Sequence, residues 1–168
     1  MSENKINLRR VGIFTQQSEQ QIYDFLQKWF IPHRIEISWL EEGFKSKDAL
    51  DLVISFGGDG TVLAALSLFP QCPVLAVNFG NVGFLTAGDR EELADMLKSV
   101  IEGNFIISER SVLKCEHAHG VDYAVNEIVI RGATKLIAVE LSINDQHIRR
   151  VRGDGVIIGT ATGSTAYL

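Results

Sequence analysis

The sequence predicts two parts in series: an open, doubly wound α/β domain over residues 1–103, then a β-rich antiparallel domain over residues 104–168. Three observations carry this. Apolar strand-like runs alternate with helix-period segments up to Gly103. Beyond it the pattern becomes strict alternation, with Ile137, Val139, Leu141 and Ile143 set against Ala138, Glu140, Ser142 and Asn144. Two glycine-containing turns stand at the carboxyl ends of predicted strands, where doubly wound sheets bind ligands.

Val11-Gly12-Ile13-Phe14 reads as the first strand. Ser18, with Gln21 three residues on, gives a capping-box pattern for a helix. Ile22, Phe25, Leu26, Trp29 and Phe30 form its apolar face, and Pro32 ends it. Ile35, Ile37 and Trp39 alternate as a second strand. Leu52-Val53-Ile54 is a third, running into Phe56-Gly57-Gly58-Asp59-Gly60-Thr61 and a short helix that stops near Pro70. Val74-Leu75-Ala76-Val77 is a fourth. Such near-continuous apolar runs suit parallel strands covered on both faces. The second glycine turn follows, over residues 78–86. Asp89, with Glu92 in the box position, starts a helix striped by Leu93, Met96, Leu97, Val100 and Ile101 and stopped by Gly103. The rhythm β-α-β-β-α-β-α is that of a Rossmann-like layer. In the second part, strands are expected near residues 112–117, 124–130 and 155–158, with a hairpin turn at Asn144-Asp145-Gln146.

Composition narrows the function. An apolar fraction of 46% allows a real core, and 22% charged residues argue against disorder. A net charge of −5 argues against a nucleic-acid partner. No apolar run approaches the ~20 residues of a membrane span. The polar N-terminus lacks the core of a signal peptide, so a cytoplasmic protein without a membrane partner is expected. Cys72 and Cys115 form no CxxC pair, which suits a reducing compartment. Cys115, His117 and His119 recur at period two and invite a zinc reading. The missing fourth ligand argues against it.

Three glycines around one aspartate at a strand-to-helix turn is a costly choice for a merely structural loop, because glycine loses the most backbone entropy on folding. The free amides and the dipole of a helix N-terminus suit a phosphate. Asp59 repels a bare phosphate, but fits a metal ion or a hydroxyl that must lose a proton. The turn therefore points to phosphoryl transfer. Downstream, Asn126-Glu127 can hold both hydroxyls of a ribose, although such a pair is more often a strand start. Phe84 can stack on a base or pack in a core. Arg152, beside Asp154, can meet a phosphate or sit on a solvated hairpin face. Thr160, Thr162, Ser164 and Thr165 crowd hydroxyls into one stretch, a sugar- or phosphate-binding segment or a flexible tail.

Taken together these residues resemble the NAD kinase family. Four landmarks match in order: Gly57-Gly58-Asp59-Gly60-Thr61, Asn78-x-Gly80-x-x-Gly83-Phe84-Leu85, Asn126-Glu127, and Asp154-Gly155 through Thr162-Gly163-Ser164-Thr165-Ala166-Tyr167. Diacylglycerol kinases and phosphofructokinases carry turns like the first; the last is far more specific. The resemblance covers nearly the whole chain. It implies transfer of the ATP γ-phosphoryl group to the 2′-hydroxyl of the adenosine ribose of NAD, giving NADP. In that pattern Asp59 orients or deprotonates the hydroxyl. Gly57, Gly58, Gly60 and Thr61 hold phosphates, and Mg²⁺ or another divalent cation arrives on the ATP phosphates rather than in a resident metal site. Asn78, Phe84, Asn126, Glu127, Arg152, Asp154, Thr162, Ser164, Thr165, Ala166 and Tyr167 complete the nucleotide-binding set. The resemblance also implies a sandwich-like β domain, a homo-oligomer, and ATP or polyphosphate as donor.

Two departures stand out. The family usually has Ser-Thr-Pro-Thr-Gly where this chain has Gly159-Thr160-Ala161-Thr162-Gly163. The sequence stops at Leu168, so the β domain is expected to be incomplete, with open edges and an exposed core face. The alternatives are a lipid or sugar kinase sharing the glycine–aspartate turn, and a truncated, non-catalytic dinucleotide-binding module.

Overall fold

The computed structural model describes residues 6–15, 20–40, 49–79 and 83–165. The chain divides into two units, Met1–Glu109 and Arg110–Leu168.

In the first unit, β1 (Arg10–Thr15), β2 (Glu36–Leu40), β3 (Leu52–Phe56), β4 (Val74–Asn78) and β5 (Gly88–Asp89) form one sheet in the order β2-β1-β3-β4-β5. All its pairings are parallel. Alternate side chains of a strand leave opposite faces, and this sorts the core into two layers. Val11, Ile13, Leu52, Ile54 and Phe56 pack with Ile22, Leu26 and Phe30 of α1 (Gln20–Phe30) and with Leu93, Leu97 and Val100 of α3 (Leu93–Glu102). On the other face, Phe14, Leu40 and Val53 pack with Ala65 of α2 (Asp59–Leu68). Helices thus cover both faces, and the sheet is doubly wound. The chain leaves β1 toward one edge and β3 toward the other, so the β1–β3 junction is the switch point of the sheet. The Gly57 turn begins there, where Thr15 pairs with Phe56.

Local signals explain the helix ends. Pro32 follows α1 within a single 3-10 turn. Before α3, the Asp89 N–H donates to Glu92 Oε2 at 2.9 Å, the expected capping box. Gly103 closes α3 in the left-handed conformation, φ 77°. Ser18, on which the expected box with Gln21 rests, lies outside the described residues. Strand β5, only two residues long, was not expected. Near this sheet the Cys72 thiol donates to the Leu50 carbonyl at 3.4 Å. Burial pushes that thiol up to about 11, and the Asp51 carboxylate adds to the effect.

The second unit consists of three antiparallel ribbons: β6 (Leu113–His117) with β7 (Gly120–Ala124), β8 (Glu127–Arg131) with β11 (Gly155–Gly159), and β9 (Ile137–Ile143) with β10 (Gln146–Gly153). Asn144 and Asp145 both have positive φ, 49° and 63°, which fits the twist of a tight hairpin. The expected single strand over residues 124–130 is broken. The Thr160 N–H donates to the Asn126 carbonyl at 2.8 Å, and the Thr160 hydroxyl donates to that of Val125. Those carbonyls are therefore taken by the 160 segment at the gap between β7 and β8. Strand β7 was also unforeseen, because Gly120 and Asp122 are poor strand formers; pairing with β6 overrides propensity.

Candidate active site

Strand β3 is buried along its whole length, and the chain emerges from it at Gly57. Gly57 has φ +154°, and a Cβ there would overlap the Thr61 hydroxyl. Its lack of a side chain is demanded by the chain itself, since the buried Thr61 folds back over it. Gly58 and Gly60 differ. A Cβ on either would meet nothing within 4 Å. Among the described residues no packing contact requires glycine at these two positions, at the N-terminus of α2. A phosphate could approach the backbone there without obstruction.

Asp59 is the first residue of α2. Its carboxylate reaches the second glycine turn, 25 and 26 residues along the chain. The Phe84 N–H donates to Oδ2 at 3.0 Å and the Leu85 N–H donates to Oδ1 at 3.0 Å. The two turns, each at the end of a strand, are therefore joined at one carboxylate. The Phe84 ring is 97% exposed beside it. Asn78 is buried, and its side-chain amide donates to Asp89 Oδ1 at 2.9 Å, tying β4 to β5. Gly80 lies outside the described residues.

In the second unit the hydroxyl-rich segment folds onto the Asn126-Glu127 corner. The Gly163 N–H donates to Thr160 Oγ1 at 3.1 Å, and the Ser164 hydroxyl donates to the Ala161 carbonyl at 2.8 Å. A Cβ on Gly163 would overlap the Asn126 carbonyl oxygen, so only glycine fits. Thr160 and Gly163 are buried and Thr162 is half-buried. Glu127 Oε2 is buried without a hydrogen-bond partner among the described residues. Thr165 belongs to a final 3-10 turn, and Ala166 and Tyr167 lie outside the described residues. Arg152 is exposed on β10. Asp154 lines a cavity of about 670 Å³ with Arg131 and Lys135, and its carbonyl accepts from the Gly132 N–H at 2.9 Å.

The Cys115, His117 and His119 trio does not assemble. His117 Nε2 is 2.9 Å from Asp122 Oδ2, its Nδ1 accepts from the His119 N–H at 3.2 Å, and His119 stands in the turn after β6. Among the described residues no three His, Cys, Asp or Glu side chains form a metal-ligand group. No helix in the described residues is long and apolar enough to cross a membrane. Gly83, Leu85 and Gly163 stand in the sequence landmarks but carry no assigned role there, because they act through backbone atoms. Their signal was glycine placed where a turn meets a functional side chain.

Residues 10–105 match the ATP-NAD kinase N-terminal domain, and residues 125–168 match the ATP-NAD kinase C-terminal domain. A NAD kinase of Methanothermobacter thermautotrophicus is 38% identical over 130 residues, 75% of this chain and 46% of that protein. One of Thermomicrobium roseum is 32% identical over 167 residues, 95% of this chain and 58% of that protein. The crystal structure of an NAD kinase from Archaeoglobus fulgidus in complex with ATP superposes with a TM-score of 0.70 at 27% identity, covering 94% of this chain and 63% of that one. Yeast NADH kinase complexed with NADH shares the fold, with a TM-score of 0.77 at 24% identity over 95% of this chain and 60% of that one. The chain thus spans about half of the length of the two sequence relatives, 46% and 58%. Because the two family domains match in order, one in each structural unit, this chain belongs to the ATP-NAD kinase family.

Proposed function

We propose that the chain carries NAD kinase chemistry, moving the γ-phosphoryl group of ATP to the 2′-hydroxyl of the adenosine ribose of NAD. The observation that carries this reading is Glu127 Oε2, a buried carboxylate oxygen with no donor among the described residues. A buried acceptor is costly to leave unmatched. A ribose hydroxyl from outside supplies the missing donor, and Glu127 follows the Asn126 corner against which Gly163 is packed.

In this reading the γ-phosphate approaches the open backbone of Gly58 and Gly60 at the start of α2. Each Asp59 oxygen accepts one amide and keeps a further lone pair. One of those lone pairs accepts the proton of the 2′-hydroxyl as its oxygen bonds to the γ-phosphorus. The bond from that phosphorus to the β–γ bridging oxygen breaks, and ADP leaves. Mg²⁺ enters with ATP as part of the substrate and neutralises charge on the phosphates. Asn126, Asp154, Thr162, Ser164, Thr165, Ala166 and Tyr167 hold NAD, Phe84 stacks on a base, and Arg152 meets a phosphate. Asn78 acts by fixing the second turn. A homo-oligomer working in the cytoplasm, with ATP or polyphosphate as donor, completes the proposal.

Incubating the chain with Mg·ATP and NAD, alongside a diacylglycerol and a sugar panel, tests it. NADP is the expected product. Phosphorylated lipid or sugar without NADP would assign a different acceptor, and NAD binding without product would leave a binding module.

A further inference from the structure

We propose that Gly83 is a positioning residue for the reaction: its missing side chain lets the Phe84 and Leu85 amides clamp the Asp59 carboxylate in its working orientation. This rests on the role assigned to Asp59 in the NAD kinase reading. Two N–H groups from consecutive residues, each 3.0 Å from a different oxygen, fix both the carboxylate plane and its rotation. A rigid carboxylate satisfies the demand that reacting groups be held near their attack geometry. Gly83 approaches the same carboxylate from the side. A Cβ built on it would overlap Asp59 Oδ1 and lie 3.0 Å from Cγ, with Thr86 Cγ2 at 3.4 Å. The atoms in the way are the end of a side chain rather than backbone. The expected response to a methyl group is therefore a swing of the carboxylate off its two amides, with the sheet left intact.

The clamp also gives Asp59 a second task, since the turn carrying Phe84 hangs from it. Asparagine at 59 has one acceptor oxygen and turns an NH₂ toward an amide donor, so it loses half of the clamp along with the charge. Loss of turnover in Asp59→Asn would then reflect both effects.

The test uses the full chain as wild type, Gly83→Ala, Asp59→Asn and the double variant. Two readouts are taken: kcat and KM for NAD, and amide hydrogen exchange at Phe84 and Leu85. Gly83→Ala should lower kcat by about 100-fold while changing KM for NAD by less than about threefold. In the double variant the loss should match that of Asp59→Asn alone, because both changes release the same carboxylate. In Gly83→Ala both the Phe84 and Leu85 amides, and in Asp59→Asn at least one of them, should exchange at least about tenfold faster, with Ile54 and Val77 unchanged. Multiplying kinetic losses, or Phe84 and Leu85 amides that stay protected in Asp59→Asn, would overturn the clamp. If wild type makes no NADP, the activity reading fails and amide exchange alone decides the clamp. If Gly83→Ala does not fold, exchange in Asp59→Asn decides it.

Discussion

The two units reach order by different routes. Among the described residues, every buried apolar side chain except Val125 belongs to the first unit. Its parallel sheet has helices on both faces, so the central strands β1 and β3 bury both rows of side chains against the unit's own elements. Among its described residues the second unit has no such cover. Val121, Tyr123, Val129, Ile130, Leu136, Ile143, Ile148 and Ile158 stay exposed, and the buried Val125, Thr160 and Gly163 mark the corner at Asn126. What is fixed most firmly in the second unit is a polar corner rather than an apolar core.

This difference can be broken experimentally, beginning with the largest effect. Leu26→Ala, at a position with no exposure in the first core, should destabilise the chain by about 2–5 kcal/mol. Ile148→Ala, at a position 53% exposed in the second unit, should change stability by less than about 0.5 kcal/mol. Urea unfolding followed by helical circular dichroism measures the first, and strand-specific amide exchange measures the second. Equal costs would mean that the exposed faces are packed in solution.

A smaller effect separates two adjacent glycines. Gly57→Ala forces an alanine into φ +154° against Thr61, and should cost about 1–3 kcal/mol in the same unfolding assay. Gly58→Ala has φ −90° and open space, so stability should move by less than about 0.5 kcal/mol. Its effect should appear in the KM for Mg·ATP, measured at saturating NAD. Unchanged KM in Gly58→Ala would remove the phosphate from that position.

The smallest effect concerns Cys72. Its thiol is pushed from 9.0 up to about 11 in the folded chain. Below 9.0 both folded and unfolded chains keep the proton, and the contribution is complete. As pH rises toward 11 the unfolded thiol ionises first, so stability falls with pH across that window. Unfolding midpoints at a series of alkaline pH values should show a decline that Cys72→Ser reduces. An identical decline in the variant would place the alkaline sensitivity elsewhere.

Much of this was legible in the residues themselves. The stripe from Ile22 to Phe30, the apolar run at Leu52-Val53-Ile54 and the Asp89–Glu92 box are local signals, and the structure honours them. Strand β5 escaped because a two-residue strand has no period. The break at Val125-Asn126 escaped because it is made by Thr160, which lies far along the chain. The clamp on Asp59 escaped for the same reason: residues 25 positions apart meet only once β3 and β4 lie side by side. Sequence pattern identified Asp59 and the turn at Gly83 separately, whereas their contact is a property of the fold.

In the proposed reaction Asp59 of the α/β unit carries the chemistry and Glu127 of the β unit grips the nucleotide. Calorimetric titration of NAD into Asp59→Asn and Glu127→Gln, paired with NADP turnover, tests that division. Asp59→Asn should keep its Kd for NAD within about threefold of wild type and lose about 10²–10⁴-fold in kcat. Glu127→Gln should weaken NAD binding by about tenfold. Near-normal turnover in Asp59→Asn, or unweakened NAD binding in Glu127→Gln, would contradict it.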